Sequence, residues 1–204
     1  MQKFKIVALD LVVIGALSAI TAGAAFAEYH VASASGGSIT GSQVTKNEFA
    51  TDVGTVKCSV ATFSGSQSTE TASTLTVHPA YSGCSLSGLA VTVSTSSCSY
   101  RFDKPVTEPV GVLASFTVLC STGSISITES LGKGCVVSVG AQGPLGGISF
   151  ASEPGGHVTV TFKVTGTTYT DNGKCPSTFA GHTSSTGTYS GTVVMSGSSE
   201  IMVT

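Results

Sequence analysis

Tryptophan is absent from this 204-residue chain, and only 10% of its residues carry a formal charge, against about 25% in a typical soluble domain. A net charge of −2 offers no basic surface for a phosphate backbone, which excludes a nucleic-acid binder. The scarcity of charge also excludes a chain held open by self-repulsion. No segment after residue 27 spaces its apolar residues by three and four over a dozen positions with caps, so helix is excluded as a main element. The usual signatures of chemistry are missing too. There is no Cys-x-x-Cys or Cys-x-x-His for zinc, no Gly-x-Ser-x-Gly elbow, no Asp-x-Asp calcium loop and no phosphate-cradling Gly-x-x-x-x-Gly-Lys.

What the chain has in quantity is Ser (32), Thr (28) and Gly (25). Residues 1–27 read as a cleavable export signal. Lys3 and Lys5 form a short positive region, a mainly apolar stretch follows from Ile6, and Ala25-Phe26-Ala27 has the small-x-small form a signal peptidase accepts. Cleavage is expected between Ala27 and Glu28, leaving a protein with no membrane anchor. Residues 28–45, small and polar, are expected to form a flexible lead-in, and residues 46–204 a single β-sandwich-like domain large enough to bury its own core.

Period-two alternation dominates that domain. In His157–Thr170 the residues Val158, Val160, Phe162 and Val164 alternate with Thr159, Thr161, Lys163 and Thr165, one set facing a core and the other water. Similar patterns occur at Thr55–Phe63, Leu75–Val77, Leu89–Phe102, Phe116–Cys120, Ser124–Thr128 and Cys135–Val139. Gly, Ser and Pro clusters such as Ser64-Gly65-Ser66, Ser82-Gly83 and Gly143-Pro144 mark the expected turns. The expectation is an all-β fold of about nine or ten short strands, a β-sandwich or an irregular barrel, stapled by disulfides.

Six cysteines, Cys58, Cys84, Cys98, Cys120, Cys135 and Cys175, follow the export signal. An even count in that context implies three bridges. Cys84/Cys98 and Cys120/Cys135 bracket two alternating segments of similar length, which favours local staples there and a Cys58–Cys175 bridge joining the ends of the domain. The sequential set Cys58–Cys84, Cys98–Cys120 and Cys135–Cys175 is the alternative. Cys98 is in phase with Tyr100 and Phe102, and Cys135 with Val137 and Val139, so the sulfurs point toward the core.

No catalytic, cofactor or metal residue is assigned. His30, His78, His157 and His182 lack ligand spacing and read as turn and surface residues. Glu153 and His157 flank one turn but bring no identifiable nucleophile. The acids, Glu129 and Asp171 among them, are scattered in expected loops rather than paired across a substrate. Tyr81, Tyr169 and Tyr189 would make a sugar-stacking platform only if their rings shared an exposed side; they read instead as turn and half-buried strand residues.

The run Thr76-Val77-His78-Pro79-Ala80-Tyr81-Ser82-Gly83-Cys84 resembles exported, cysteine-containing proteins of soil actinobacteria that carry no assigned activity. The likeness continues at Cys98-Ser99-Tyr100, at Cys135 to Gln142, at Val164 to Thr170, at Cys175-Pro176 and at Gly187 to Gly191, spanning about residues 53–197. It implies export and a shared fold and carries over no catalytic residue. The functional expectation is a secreted, non-enzymatic protein whose partner is an extracellular ligand or a cell-envelope component. A carbohydrate-binding module and an extracellular hydrolase are the alternatives.

Overall fold

The computed structural model describes residues 28–31, 35–95, 97–103, 105–108, 111–130, 134–175 and 181–204; the expected leader, residues 1–27, lies outside them. Fifteen strand segments succeed one another: β1 (Tyr29–Val31), β2 (Gly37–Thr51), β3 (Gly54–Gln67), β4 (Thr71–Ala72), β5 (Leu75–Leu86), β6 (Leu89–Ser94), β7 (Cys98–Phe102), β8 (Val106–Glu108), β9 (Gly111–Cys120), β10 (Ile125–Glu129), β11 (Val136–Val139), β12 (Gln142–Glu153), β13 (His157–Asp171), β14 (Thr183–Gly197) and β15 (Ile201–Val203).

Pairing reduces most of these to eight staves. β2, β3, β5, β13 and β14 are each one long strand. The other three are composite: β6 and β7 both lie along β5, β10 and β9 lie along β6 and β7, and β11 and β12 lie along β10 and β9 and then along β13. Every stave is antiparallel to the next in sequence, and β14 returns to pair with β2 from Thr188↔Ala50 to Gly197↔Ile39. The result is a closed up-and-down barrel of eight staves, which leaves no open sheet edge around the ring. The expected β-sandwich-like domain is therefore corrected to the alternative, a barrel, because β14 closes on β2.

The chain forms more strand segments than the nine or ten expected, but several are longer than expected because small residues do not end them. β3 runs through Ser64-Gly65-Ser66, and β5 through Ser82-Gly83. A Cβ on Gly65 would lie 2.4 Å from the Thr76 carbonyl oxygen, so the glycine marks a close approach of two strands and not a turn. Of residues 28–45, Tyr29–Val31 form β1 and the stretch from Gly37 on forms the first half of β2, where a flexible lead-in was expected.

The composite staves carry extra residues at one common level. β5 advances seven residues from Val77 to Cys84, while its neighbour takes nine, from Val91 to Tyr100. β6–β7 advances five from Val93 to Cys98 against seven from Cys120 to Ile127. The surplus falls between β6 and β7 and between β9 and β10, forming a bulged waist. Above it, aromatic rings fill the barrel. Phe162 is fully buried, with Phe63, Phe102, Phe116 and Tyr189 centred 6.2, 6.0, 6.4 and 5.2 Å away. Truncating such a ring to Ala costs about 3–5 kcal/mol. The upper end is covered by the small sheet β15–β1–β4, where the Gln67 amide donates to the carbonyls of Tyr29, Thr69 and Glu70 at 2.9–3.0 Å.

The bridges are Cys58–Cys84, Cys98–Cys120 and Cys135–Cys175. The expected staples Cys84–Cys98 and Cys120–Cys135, and the closing Cys58–Cys175 bridge, are therefore overturned in favour of the sequential set. Register explains it. Cys58 lies directly across from Cys84, and Cys98 directly across from Cys120. Cys84 faces Val91, seven residues short of Cys98, a gap of about 23 Å along a strand. Three formed bridges place the folded chain in an oxidising environment. Among the described residues no helix is long and apolar enough to cross a membrane.

Candidate functional site

Below the waist the barrel is less completely filled. A cavity of about 60 Å³ lies there, walled by Phe49, Val56, Cys58, Val93, Ile125, Ile127 and Val139 from the lower staves and by Tyr81, Tyr100, Phe116, Val118 and Tyr189 nearer the waist. That is room for roughly four waters, or for a ligand of a few heavy atoms. Inward-facing alternation supplies the apolar wall; in β10, Ile125 and Ile127 are buried while Thr128 is exposed.

The polar part of the wall is a hydrogen-bonded chain. Tyr189 donates to Asn47 Oδ1 at 2.5 Å, Tyr81 meets Tyr189 at 2.9 Å, and Tyr100 meets Tyr81 at 3.1 Å. Each phenol has one proton. With that of Tyr189 committed to Asn47, Tyr81 must donate to Tyr189 and Tyr100 to Tyr81. The Asn47 amide in turn donates to Gln43 Oε1 at 3.1 Å. Every donor in the chain is used, and only lone pairs remain to face the cavity. Burial pushes all three tyrosines up, Tyr100 to about 12; for Tyr81 both neighbouring phenols add to the effect of burial, and for Tyr189 the Tyr100 phenol adds to it while the hydrogen bond with Tyr81 works the other way. Gly191 makes the Asn47 position possible, since a Cβ there would lie 2.6 Å from its Oδ1.

One hydroxyl in the wall has no partner. Thr167 is 4% exposed, and its Oγ1 makes no hydrogen bond among the described residues. Its orientation comes from a bulge. Gly166, at φ +77°, shifts the alternation of β13, so that Val164 and Thr167 both face inward. The side chain of Gln142 bridges the gap in the ladder there, donating to the Thr168 carbonyl at 2.8 Å and accepting from its N–H at 2.7 Å.

At the lower end, Asp171 Oδ1 accepts the N–H groups of Gly173 (2.7 Å) and Gly181 (3.0 Å), and Oδ2 that of His182 (3.3 Å). Burial works to raise its carboxyl. The three backbone donors and the nearby imidazole outweigh it and hold the group below the ordinary carboxylate value. Asp52 shares the adjoining cleft, where hydrogen bonds from Ser184, Tyr169 and Thr186 lower it in turn.

The expected surface residues fall elsewhere. At the upper hairpin Glu153 is directly across from His157, and His157 from Ser196, with His157 Nδ1 2.9 Å from Ser196 Oγ. The hydroxyl that the sequence did not reveal beside Glu153 and His157 is therefore Ser196, on an exposed surface. His30 pairs with Met202 in the upper cap, His78 is exposed on β5, and His182 sits at the lower cleft. Tyr169 and Tyr189 are 2% and 7% exposed and Tyr81 is half-buried, so these rings belong to the interior and do not form a platform. All six cysteines are in disulfides. Sequence reasoning assigned no site role to Asn47, Tyr100, Thr167 or Glu129; Asn47 and Thr167 lie at register shifts that hide their direction, whereas Tyr100 and Glu129 follow the plain alternation of their strands. No protein-family model, curated protein or solved structure matches this chain.

Proposed function

We propose that this protein is an exported, non-enzymatic barrel that holds one small, largely apolar ligand in the lower half of its interior. The cavity beside the unpartnered Thr167 hydroxyl carries this reading. An apolar wall with a few convergent polar groups is the usual make-up of a ligand pocket, and an eight-stranded barrel is just wide enough to hold one small ligand. The export signal, the three bridges and the resemblance to exported actinobacterial proteins support an extracellular setting. Outward positions such as Thr159, Thr161 and Lys163 are polar, the reverse of the apolar band a membrane-spanning barrel turns to lipid.

The test is ligand-observed NMR on the oxidised protein against a panel of small alcohols, phenols and amines, repeated on Val93→Phe, which fills the cavity. Binding by the wild type that Val93→Phe abolishes supports the reading. No binding by any member, or binding indifferent to Val93→Phe, refutes it. The His157–Ser196 contact favours one second reading, a surface hydrolase. Labelling of Ser196 by a fluorophosphonate, lost in His157→Ala, would establish that reading instead.

A further inference from the structure

We infer that the ligand of the lower barrel is a small organic cation, an alkylammonium, and that Glu129 is its counter-charge. The inference rests on the cavity reading above and adds the chemical class of the ligand. In β10 the inward positions are Ile125, Ile127 and Glu129. The first two line the cavity, and Glu129 stands two residues further along the same face, about 7 Å down the strand. It is 7% exposed, and neither carboxylate oxygen has a hydrogen-bond partner among the described residues. A buried carboxylate is ordinarily paired, because burying an uncompensated charge is among the most unfavourable things a fold can do. The missing partner has to bring positive charge or hydrogen-bond donors.

Glu129 lies beyond the residues that line the cavity, and the lining itself asks for the same chemistry. The protons of Tyr100, Tyr81 and Tyr189 are spent along the chain to Asn47, so these groups offer only lone pairs and ring faces. Aromatic faces attract cations, and most strongly those that shed water easily. Apart from the Thr167 hydroxyl the remaining wall is apolar, made of Phe49, Phe116, Cys58 and aliphatic side chains, which suits the methyl or methylene groups of an alkylammonium and not a hydrated ion. Among the described residues no three His, Cys, Asp or Glu side chains gather to hold a metal. One carboxylate matches one unit of charge, and the cavity of about 60 Å³ limits the guest to a few heavy atoms.

The experiment compares trimethylammonium with tert-butanol, a neutral molecule of similar shape, by saturation-transfer NMR titration of the oxidised protein and of Glu129→Gln. The wild type is expected to bind trimethylammonium at least tenfold more tightly than tert-butanol. Glu129→Gln should lose that preference while retaining tert-butanol. Equal or weaker binding of the cation by the wild type overturns the inference and leaves the cavity reading standing, and this arm needs no variant. A Glu129→Gln protein that keeps the preference also overturns it. If neither compound binds the wild type, this inference is overturned, while the cavity reading is decided by the wider panel.

Discussion

Cleaving the oxidised protein with trypsin distinguishes the observed bridges from the pairing the cysteine spacing first favours. Lys57, Arg101, Lys133, Lys163 and Lys174 are cleavable, whereas Lys104 precedes Pro105 and resists. Without reduction, peptide 58–101 should remain joined to 102–133 through Cys98–Cys120, and 134–163 to 175–204 through Cys135–Cys175. Finding 102–133 joined to 134–163, or 58–101 to 175–204, would refute the register on which the barrel is built. Energetics give a second test. The bridges span 26, 22 and 40 residues, each worth about 3–4 kcal/mol in the chain-entropy account. The three loops share no residue, so their effects should add, to about 10 kcal/mol in all. That is comparable with the whole stability of an ordinary domain, about 5–15 kcal/mol. Guanidinium unfolding of the double variants Cys58→Ala/Cys84→Ala and Cys98→Ala/Cys120→Ala should show losses of that size, and the quadruple variant their sum to within about 0.5 kcal/mol. A clear departure from the sum would mean that the loops are not independent.

Two predictions concern titration. Burial raises Tyr29, Tyr81, Tyr100 and Tyr189, the third to about 12. A folded value raised above the unfolded one, about 10, gives stability that is complete below pH 10 and lost as pH climbs through the folded values. Absorbance at 295 nm should therefore show Tyr29, Tyr81, Tyr100 and Tyr189 largely un-ionised at pH 11, their signal appearing together with loss of β-sheet dichroism. Asp171 titrates the other way. Its lowered carboxyl gives stability that is present above about pH 3.9, the unfolded value, and lost as pH falls through the folded one. Acid titration followed by NMR should loosen the turn at Gly173 and Gly181 in that range, and Asp171→Asn should remove the dependence.

The alternation of Val158, Val160, Phe162 and Val164 was legible in the sequence because a half-buried strand writes its register directly, and β13 runs from His157 to Asp171. The closure of β14 on β2 was not, because it joins residues nearly 150 positions apart and leaves no local trace. The cysteines misled for a related reason. Equal spacing along the chain looked like nearness, whereas Cys84 and Cys98 occupy different heights on neighbouring staves. Glu129 looked like a loop acid because the strand was expected to end at Thr128. One more step of the Ile125, Ile127 phase would have placed it inside. Thr167 depended on Gly166 shifting that phase, and an isolated glycine in a strand does not say which way the next side chain will turn.

The non-overlapping bridges have a consequence for how such a chain matures. Each joins neighbouring staves, so each can be oxidised as soon as its own hairpin has emerged, without waiting for later sequence and with little opportunity for mispairing. The seam between the first and last staves, and the β1–β15 pairing of the cap, must wait for the last strands. Assembly from the amino terminus would therefore proceed as a succession of locked hairpins, with cyclisation of the wall as its final, non-covalent act.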